Sequence, residues 1–185
     1  MATKEEAFDW PWQYNFPPFF TLQTNADTQS KQIAAWCDLV LSYYRQSKQY
    51  ILDVTEAQSS PLFHNAVINR KLPLEAVNVV LSSLERKGHV EWEDATKRTR
   101  CYVMWRTPEE WAALIFQWVA SKGFTNTVCT YYDLHSGDDA ADQEFFGMDL
   151  WMLKKSLRVL QTQGKAELMQ GTQADDSDGG IKFFS

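Results

Sequence analysis

The chain is poor in the residues from which reactive centres are usually built. Only 3 cysteines and 3 histidines are spread through 185 residues. Cys37, Cys101 and Cys129 are odd in number, widely spaced and free of any Cys-x-x-Cys, which argues against a disulfide framework or a zinc site. Cys37 and Cys101 stand close to Leu39-Val40 and Tyr102-Val103, where a free thiol behaves as a small hydrophobe. Unpaired thiols suit a reducing compartment, the cytosol or the nucleus. His64, His89 and His135 lie far apart, with no Cys, Asp or Glu at metal-ligand spacing on an expected helix. Glycine is also scarce. The 8 glycines are dispersed, and no Gly-x-Gly-x-x-Gly, Gly-Lys-[Ser/Thr], Gly-x-Ser-x-Gly or His-Glu-x-x-His occurs. The expectation is therefore no enzyme, no cofactor and no metal.

Long apolar runs are missing as well. No stretch approaches the ~20 residues of a membrane span. Met1–Phe8 holds two acids and no apolar core, so no secretory signal is expected, and no polybasic segment invites anionic lipid. The acidic tract Asp138–Glu144 lacks the central glycine of a calcium loop and reads as a solvated loop. A net charge of −6 argues against a generally cationic nucleic-acid binder. What the chain has in abundance is rings: 8 tryptophans, 7 tyrosines and 11 phenylalanines, the side chains that dominate cores and interfaces.

The chain repeats itself. Leu74, Val77, Leu81 and Leu84 are spaced like Leu150, Leu153, Leu157 and Leu160, 76 positions later. Trp36, Leu39, Val40 and Tyr43 match Trp111, Leu114, Ile115 and Trp118 at an offset of 75. Each leucine run ends in a glycine, Gly88 or Gly164, and then turns strand-like. Each copy reads in the same order. A first helix spans about 28–47, with the stripe Ile33, Trp36, Cys37, Val40, Leu41 and Tyr44. Its counterpart opens at Thr107-Pro108-Glu109-Glu110 and closes at Gly123. A short strand follows each first helix, then a second helix around 60–65 or after Asp142. A third helix opens at Pro73 or Asp149, and a hairpin ends each copy (Val90–Glu93 with Cys101–Trp105, Ala166–Met169 with Ile181–Phe184). This order predicts a mainly α fold with small β, two tandem winged-helix domains at 25–105 and 106–185 behind an arm at 1–24.

DNA reading is disfavoured in either copy. The third helix of the first copy offers Glu75 and Glu85 to phosphate, with its bases crowded at the end. In the second copy Lys154, Lys155 and Arg158 make a basic face, but Asp138, Asp139, Asp142, Asp175, Asp176 and Asp178 lie on neighbouring loops. That face reads either as a surface for an acidic protein partner or as an ordinary solvated one.

In the arm, Phe8, Trp10, Trp12, Tyr14 and Phe16 occupy every second position, followed by Pro17-Pro18-Phe19-Phe20. Strict alternation predicts an extended segment with the rings on one side, and Pro11, Pro17 and Pro18 argue against helix. For Trp10–Phe16, packing on the chain's own first domain and docking on a partner stand level. For Pro17–Phe20, a pocket on another chain is the favoured reading.

The runs Trp10-Pro11-Trp12-Gln13-Tyr14, Phe16-Pro17-Pro18-Phe19-Phe20-Thr21-Leu22-Gln23 and Lys31–Cys37 resemble the small-subunit family of the endosomal sorting complex required for transport II (ESCRT-II). The likeness continues through Ser60–Phe63, Arg70–Pro73, Met104–Arg106, Pro108–Trp111 and Ile181–Phe184. It implies two tandem winged helices without catalytic activity. It also implies a Y-shaped assembly in which two copies join one each of vacuolar protein sorting subunits 22 and 36. The family's proline-proline-x-tyrosine motif falls on Pro17, Pro18, Phe19 and Phe20, with Phe20 lacking the hydroxyl. The resemblance thus puts Trp10, Trp12, Phe16, Pro17, Pro18, Phe19 and Phe20 at the ESCRT-II contact. The second domain would recruit the first helix of vacuolar protein sorting 20, also called charged multivesicular body protein 6, of ESCRT-III. Lys154, Lys155 and Arg158 are assigned to that contact on charge alone. The implied role is sorting ubiquitinated membrane cargo into multivesicular bodies, from the cytoplasm at the endosomal membrane. The alternative is a winged-helix transcription component, an elongation factor or DNA binder, with a nuclear location.

Overall fold

The computed structural model describes residues 7–174 and 176–185. The chain divides into two compact units, Met1–Trp105 and Arg106–Ser185.

In the first unit the arm makes two single 3₁₀ turns, Trp12–Asn15 and Pro17–Phe20. Helix α1, Ala26–Ser47, starts where the Asn25 side chain accepts from the Asp27 and Thr28 N–H groups, both at 3.1 Å. It stops at Lys48, in the left-handed conformation at φ 49°. Strand β1, Ile51–Asp53, runs straight into the one-turn helix α2, Val54–Ala57, which Asp53 caps through Thr55 and Glu56. A small ladder of β2, His64–Asn65, and β3, Arg70–Lys71, precedes α3, Leu74–Arg86. Strands β4, Val90–Trp92, and β5, Arg100–Val103, complete a three-stranded antiparallel sheet in the order β1-β5-β4. The register pairs Leu52 with Cys101 and Val90 with Val103, so apolar side chains face the helices. Helix α1 packs on α3, and Trp36, Phe63, Leu72, Val77, Leu81 and Leu84 are sealed between them.

The second unit repeats this plan. Thr107 and Glu110 form a reciprocal capping box at the start of α4, Pro108–Lys122, and Gly123 ends it at φ 73°. Strand β6, Val128–Thr130, leads into α5, Tyr131–His135, with a second capping box between Thr130 and Asp133. After a 3₁₀ turn at Asp138–Ala140, Asp149 caps α6, Leu150–Thr162, by accepting from the Trp151 N–H at 2.8 Å. Strands β7, Ala166–Met169, and β8, Gly180–Phe183, close a sheet in the order β6-β8-β7, the same topology as in the first unit. Helix α4 packs on α6 around Trp111, Ile115, Leu153 and Leu157. Both units are winged helices: three helices and a hairpin wing, with a first strand pairing to the last.

Three expectations are corrected. The second helix of each copy lies earlier than predicted, at Val54–Ala57 and Tyr131–His135. In each case a capping side chain, Asp53 or Thr130, ends the strand and starts the helix without an intervening loop. The buried face of α1 includes Gln32 and Leu39, whereas Ile33 and Leu41 are only half-buried. The arm, finally, is not extended. Pro11 and Pro17 open single turns, where a missing N–H costs nothing, instead of preventing them.

Candidate docking surfaces

The turns split the arm's rings into an inward and an outward set. Trp10 stacks on Tyr14 at 3.9 Å between centroids, and Phe8 packs edge-on against Trp10 at 4.7 Å and Tyr43 at 5.3 Å. The buried Tyr14 hydroxyl donates to the Pro61 carbonyl, and burial pushes its pKa upward. Asn65 donates to the Tyr14 carbonyl at 2.7 Å. Phe19 lies face to face on Trp36 at 4.3 Å, and Phe20 meets the same indole edge-on at 5.3 Å. Phe19 is 6% exposed and Phe20 2%.

The backbone of the second turn is held as firmly as its rings. Gln32, buried on α1, donates its two N–H bonds to the carbonyls of Phe19 at 2.9 Å and Thr21 at 2.8 Å. Its side-chain oxygen accepts from the Gln23 N–H at 3.1 Å. The Trp36 indole donates to the Phe19 carbonyl at 2.9 Å. Every polar group of the Gln32 amide is used, which is why a glutamine can sit on the apolar face of α1.

The structure therefore places the expected contact residues in two groups. Phe19 and Phe20 form part of the first unit's own core, and Trp10 is half-buried against Tyr14, which corrects the expectation that they stand ready for another chain. The physical reason is Trp36, which offers both faces of an aromatic corner plus a donor to the Phe19 carbonyl. Trp12 is 72% exposed and Phe16 49%, their rings 5.9 Å apart, with Pro17 and Pro18 exposed beside them. Together with Lys31 and Ala35 of α1, Trp12, Phe16 and Pro18 border an open groove of about 480 Å³. Phe20 lacks a hydroxyl where the implied motif has one, and its surroundings of Tyr14, Phe19 and Trp36 are rings throughout.

In the second unit the three predicted bases share α6 but not one state. Lys154 pairs with Asp176 at 3.0 Å and lies over the Tyr131 ring at 5.8 Å, with only 17% of its side chain exposed. The Gly171 N–H and Lys154 together hold the Asp176 carboxyl below the usual carboxylate range. Lys155 lies over the Trp151 ring at 5.3 Å, and Arg158 is exposed. The wing's acids thus neutralise Lys154 and leave the outer charge to Lys155 and Arg158.

Gln32 and Asn65, which fix the arm, were not among the sequence candidates. The signal for Gln32 was a polar residue four positions before Trp36 on the same helical face. No comparable signal marked Asn65. All three thiols are buried, and desolvation raises each, Cys101 to about 12. Among the described residues no group of three or more His, Cys, Asp or Glu side chains is arranged to hold a metal ion. No helix there is long and apolar enough to cross a membrane.

The family of ESCRT-II complex subunits matches residues 13–149. The chain is 56% identical over 178 residues to vacuolar protein-sorting-associated protein 25 of Danio rerio, covering 96% of this chain and 99% of that protein. Identity to the Homo sapiens protein of the same name is 51% over 179 residues, covering 96% and 98%. The backbone is similar to that of subunit VPS25 of the endosomal trafficking complex ESCRT-II, with a TM-score of 0.79 at 27% identity over 94% of this chain and 97% of the other. A chain in the crystal structure of the endosomal complex ESCRT-II (VPS22/VPS25/VPS36) gives 0.76 at 27% identity, over 94% and 98%. With likeness in sequence and in backbone spanning nearly its whole length, the chain belongs to the family of ESCRT-II complex subunits.

Proposed function

We propose that this chain is a non-catalytic adaptor of ESCRT-II whose arm docks, through Trp12, Phe16, Pro17 and Pro18, onto vacuolar protein sorting subunits 22 and 36. The relatives' complex, VPS22/VPS25/VPS36, supports this choice of partners. The observation that carries the reading is the outward pair Trp12 and Phe16. Two large rings stay in solvent while the same turns are pinned by Gln32 and Trp36. Aromatic side chains on a pre-ordered backbone dock without losing much further entropy. Burying each ring on a partner is worth roughly 1.5–3 kcal/mol.

The inward rings serve this function indirectly: Phe19 and Phe20 set the turn that presents Pro17 and Pro18. The second unit recruits the first helix of vacuolar protein sorting 20 (charged multivesicular body protein 6) of ESCRT-III, with Lys155 and Arg158 as the available part of the basic face. The adaptor acts at the endosomal membrane in sorting ubiquitinated cargo into multivesicular bodies.

The test is co-purification. Trp12→Ala with Phe16→Ala is expected to leave a folded chain that no longer co-purifies with subunits 22 and 36. Undiminished recovery of both subunits would overturn the docking role. Charge reversal of Lys155 and Arg158 is expected to weaken binding of the downstream helix in a titration, and unchanged affinity would remove them from that contact.

A further inference from the structure

The second unit carries a groove of about 470 Å³ on the side of the sheet that β6 edges. Trp118, Phe124, Val128 and Tyr132 give it apolar walls, and Asp138 and Asp139 stand at its rim. Val128 is 52% exposed and Tyr132 62%, an unusual cost for a valine and a ring beside one another. Trp118 is 6% exposed, and its indole N–H finds no acceptor among the described residues. The rim is built, not incidental. A Cβ on Gly137 would lie 2.5 Å from the Asp133 carbonyl oxygen, so only glycine lets the chain turn back over α5 and bring Asp138 and Asp139 to the groove.

The charge around this groove has one sign. Asp133, Asp138 and Asp139 all line it, and no lysine or arginine occurs between Lys122 and Lys154. Asp133 is occupied by the Thr130 N–H at 2.8 Å. Asp138 and Asp139 are exposed, and no described cation pairs with either. A polyanion, whether nucleic acid or acidic lipid, is repelled here. A positively charged partner with an apolar stripe gains on both counts.

We propose that this groove is a docking site for a cationic amphipathic helix of a protein partner, its apolar face on Val128 and Tyr132 and its lysines or arginines on Asp138 and Asp139. Helix is favoured over strand addition because β6 offers an edge of only three residues before α5 begins. The site is opposite in sign to the Lys155 and Arg158 face, so the two select different segments. It does not depend on the arm or on what the arm binds.

The experiment is an NMR titration of the full-length chain with an 18-residue leucine–lysine peptide patterned for one apolar helical face, and with its glutamate-for-lysine counterpart. The lysine peptide is expected to shift the amides of Val128–Asp139 and to bind more weakly as salt rises. Asp138→Asn with Asp139→Asn, which keeps the side-chain shape, is expected to weaken it about tenfold. Tyr132→Ala is expected to weaken it as well, with both variants melting like the parent. Shifts confined to other surfaces, equal binding by the doubly substituted chain, or equal binding of the glutamate peptide at the groove would each overturn the assignment. Vesicles rich in phosphatidylserine are expected to leave these amides unmoved, and shifts with them would also overturn it.

Discussion

Replacing Phe20 by alanine separates the core role of the inner rings from the docking role of the outer ones. Phe20 is 2% exposed and touches Tyr14, Phe19 and Trp36, with centroids 5.3–6.1 Å away. Removing a buried phenylalanine ring costs about 3–5 kcal/mol from lost transfer energy and the cavity left behind. The arm is held by only a few carbonyl bonds and can partly collapse, which favours the lower end. At about 3 kcal/mol, and about 4–8 °C per kcal/mol for a unit of this size, the first unit should melt some 12–24 °C lower. Trp12 is 72% exposed, so Trp12→Ala should change stability by about 0.5 kcal/mol or less. Differential scanning calorimetry of the isolated chain reads both, with the second unit as an internal reference. A Phe20→Ala transition within a few degrees of the parent, or a Trp12→Ala loss as large as that of Phe20, would refute the division of the arm.

Three further outcomes follow from individual groups. Gln32→Leu removes both donors from the Phe19 and Thr21 carbonyls and the acceptor of the Gln23 N–H. It should cost about 1–3 kcal/mol and raise hydrogen exchange at Gln23, and unchanged exchange would contradict the anchoring role. The Asp178 carboxyl, bonded by the Thr172 hydroxyl and by the Thr172 and Gln173 N–H groups, is lowered to about 2. A lowered folded-state pKa gives a contribution that is complete above pH 3.8 and lost as pH falls through about 2, so the Thr172 amide shift should titrate near 2, not near 4. Cys101, raised to about 12 by burial, should resist thiol reagents at pH 8 in the native chain together with Cys37 and Cys129, and react on unfolding; native labelling of any of the three would contradict the packing.

The duplicated plan was legible because it rests on local signals. Leucines at helical spacing, the Thr107 and Asp149 caps and the glycines after each third helix all act within a few residues of one another. The second helices were misplaced because Asp53 and Thr130 cap directly at a strand end, where the expectation was a loop. Thr130-x-x-Asp133 was a readable capping box that the neighbouring ring-rich strand obscured. The arm was harder for a physical reason. Rings at every second residue suit an extended segment, yet two single turns divide the same rings between two faces. Which face turns inward is decided by Gln32 and Trp36, outside the arm itself. The basic face of α6 was legible as charge, but the pairing of Lys154 with Asp176 depends on how the wing folds back.

The outward face of the arm is the centre of the account, and the mass of the assembled complex tests it most directly. Light scattering on the chain mixed with subunits 22 and 36 should give one species containing all three. The same mixture with Trp12→Ala and Phe16→Ala should leave the chain at its monomer mass, with its melting transition intact. An undiminished complex containing the doubly substituted chain would contradict the account.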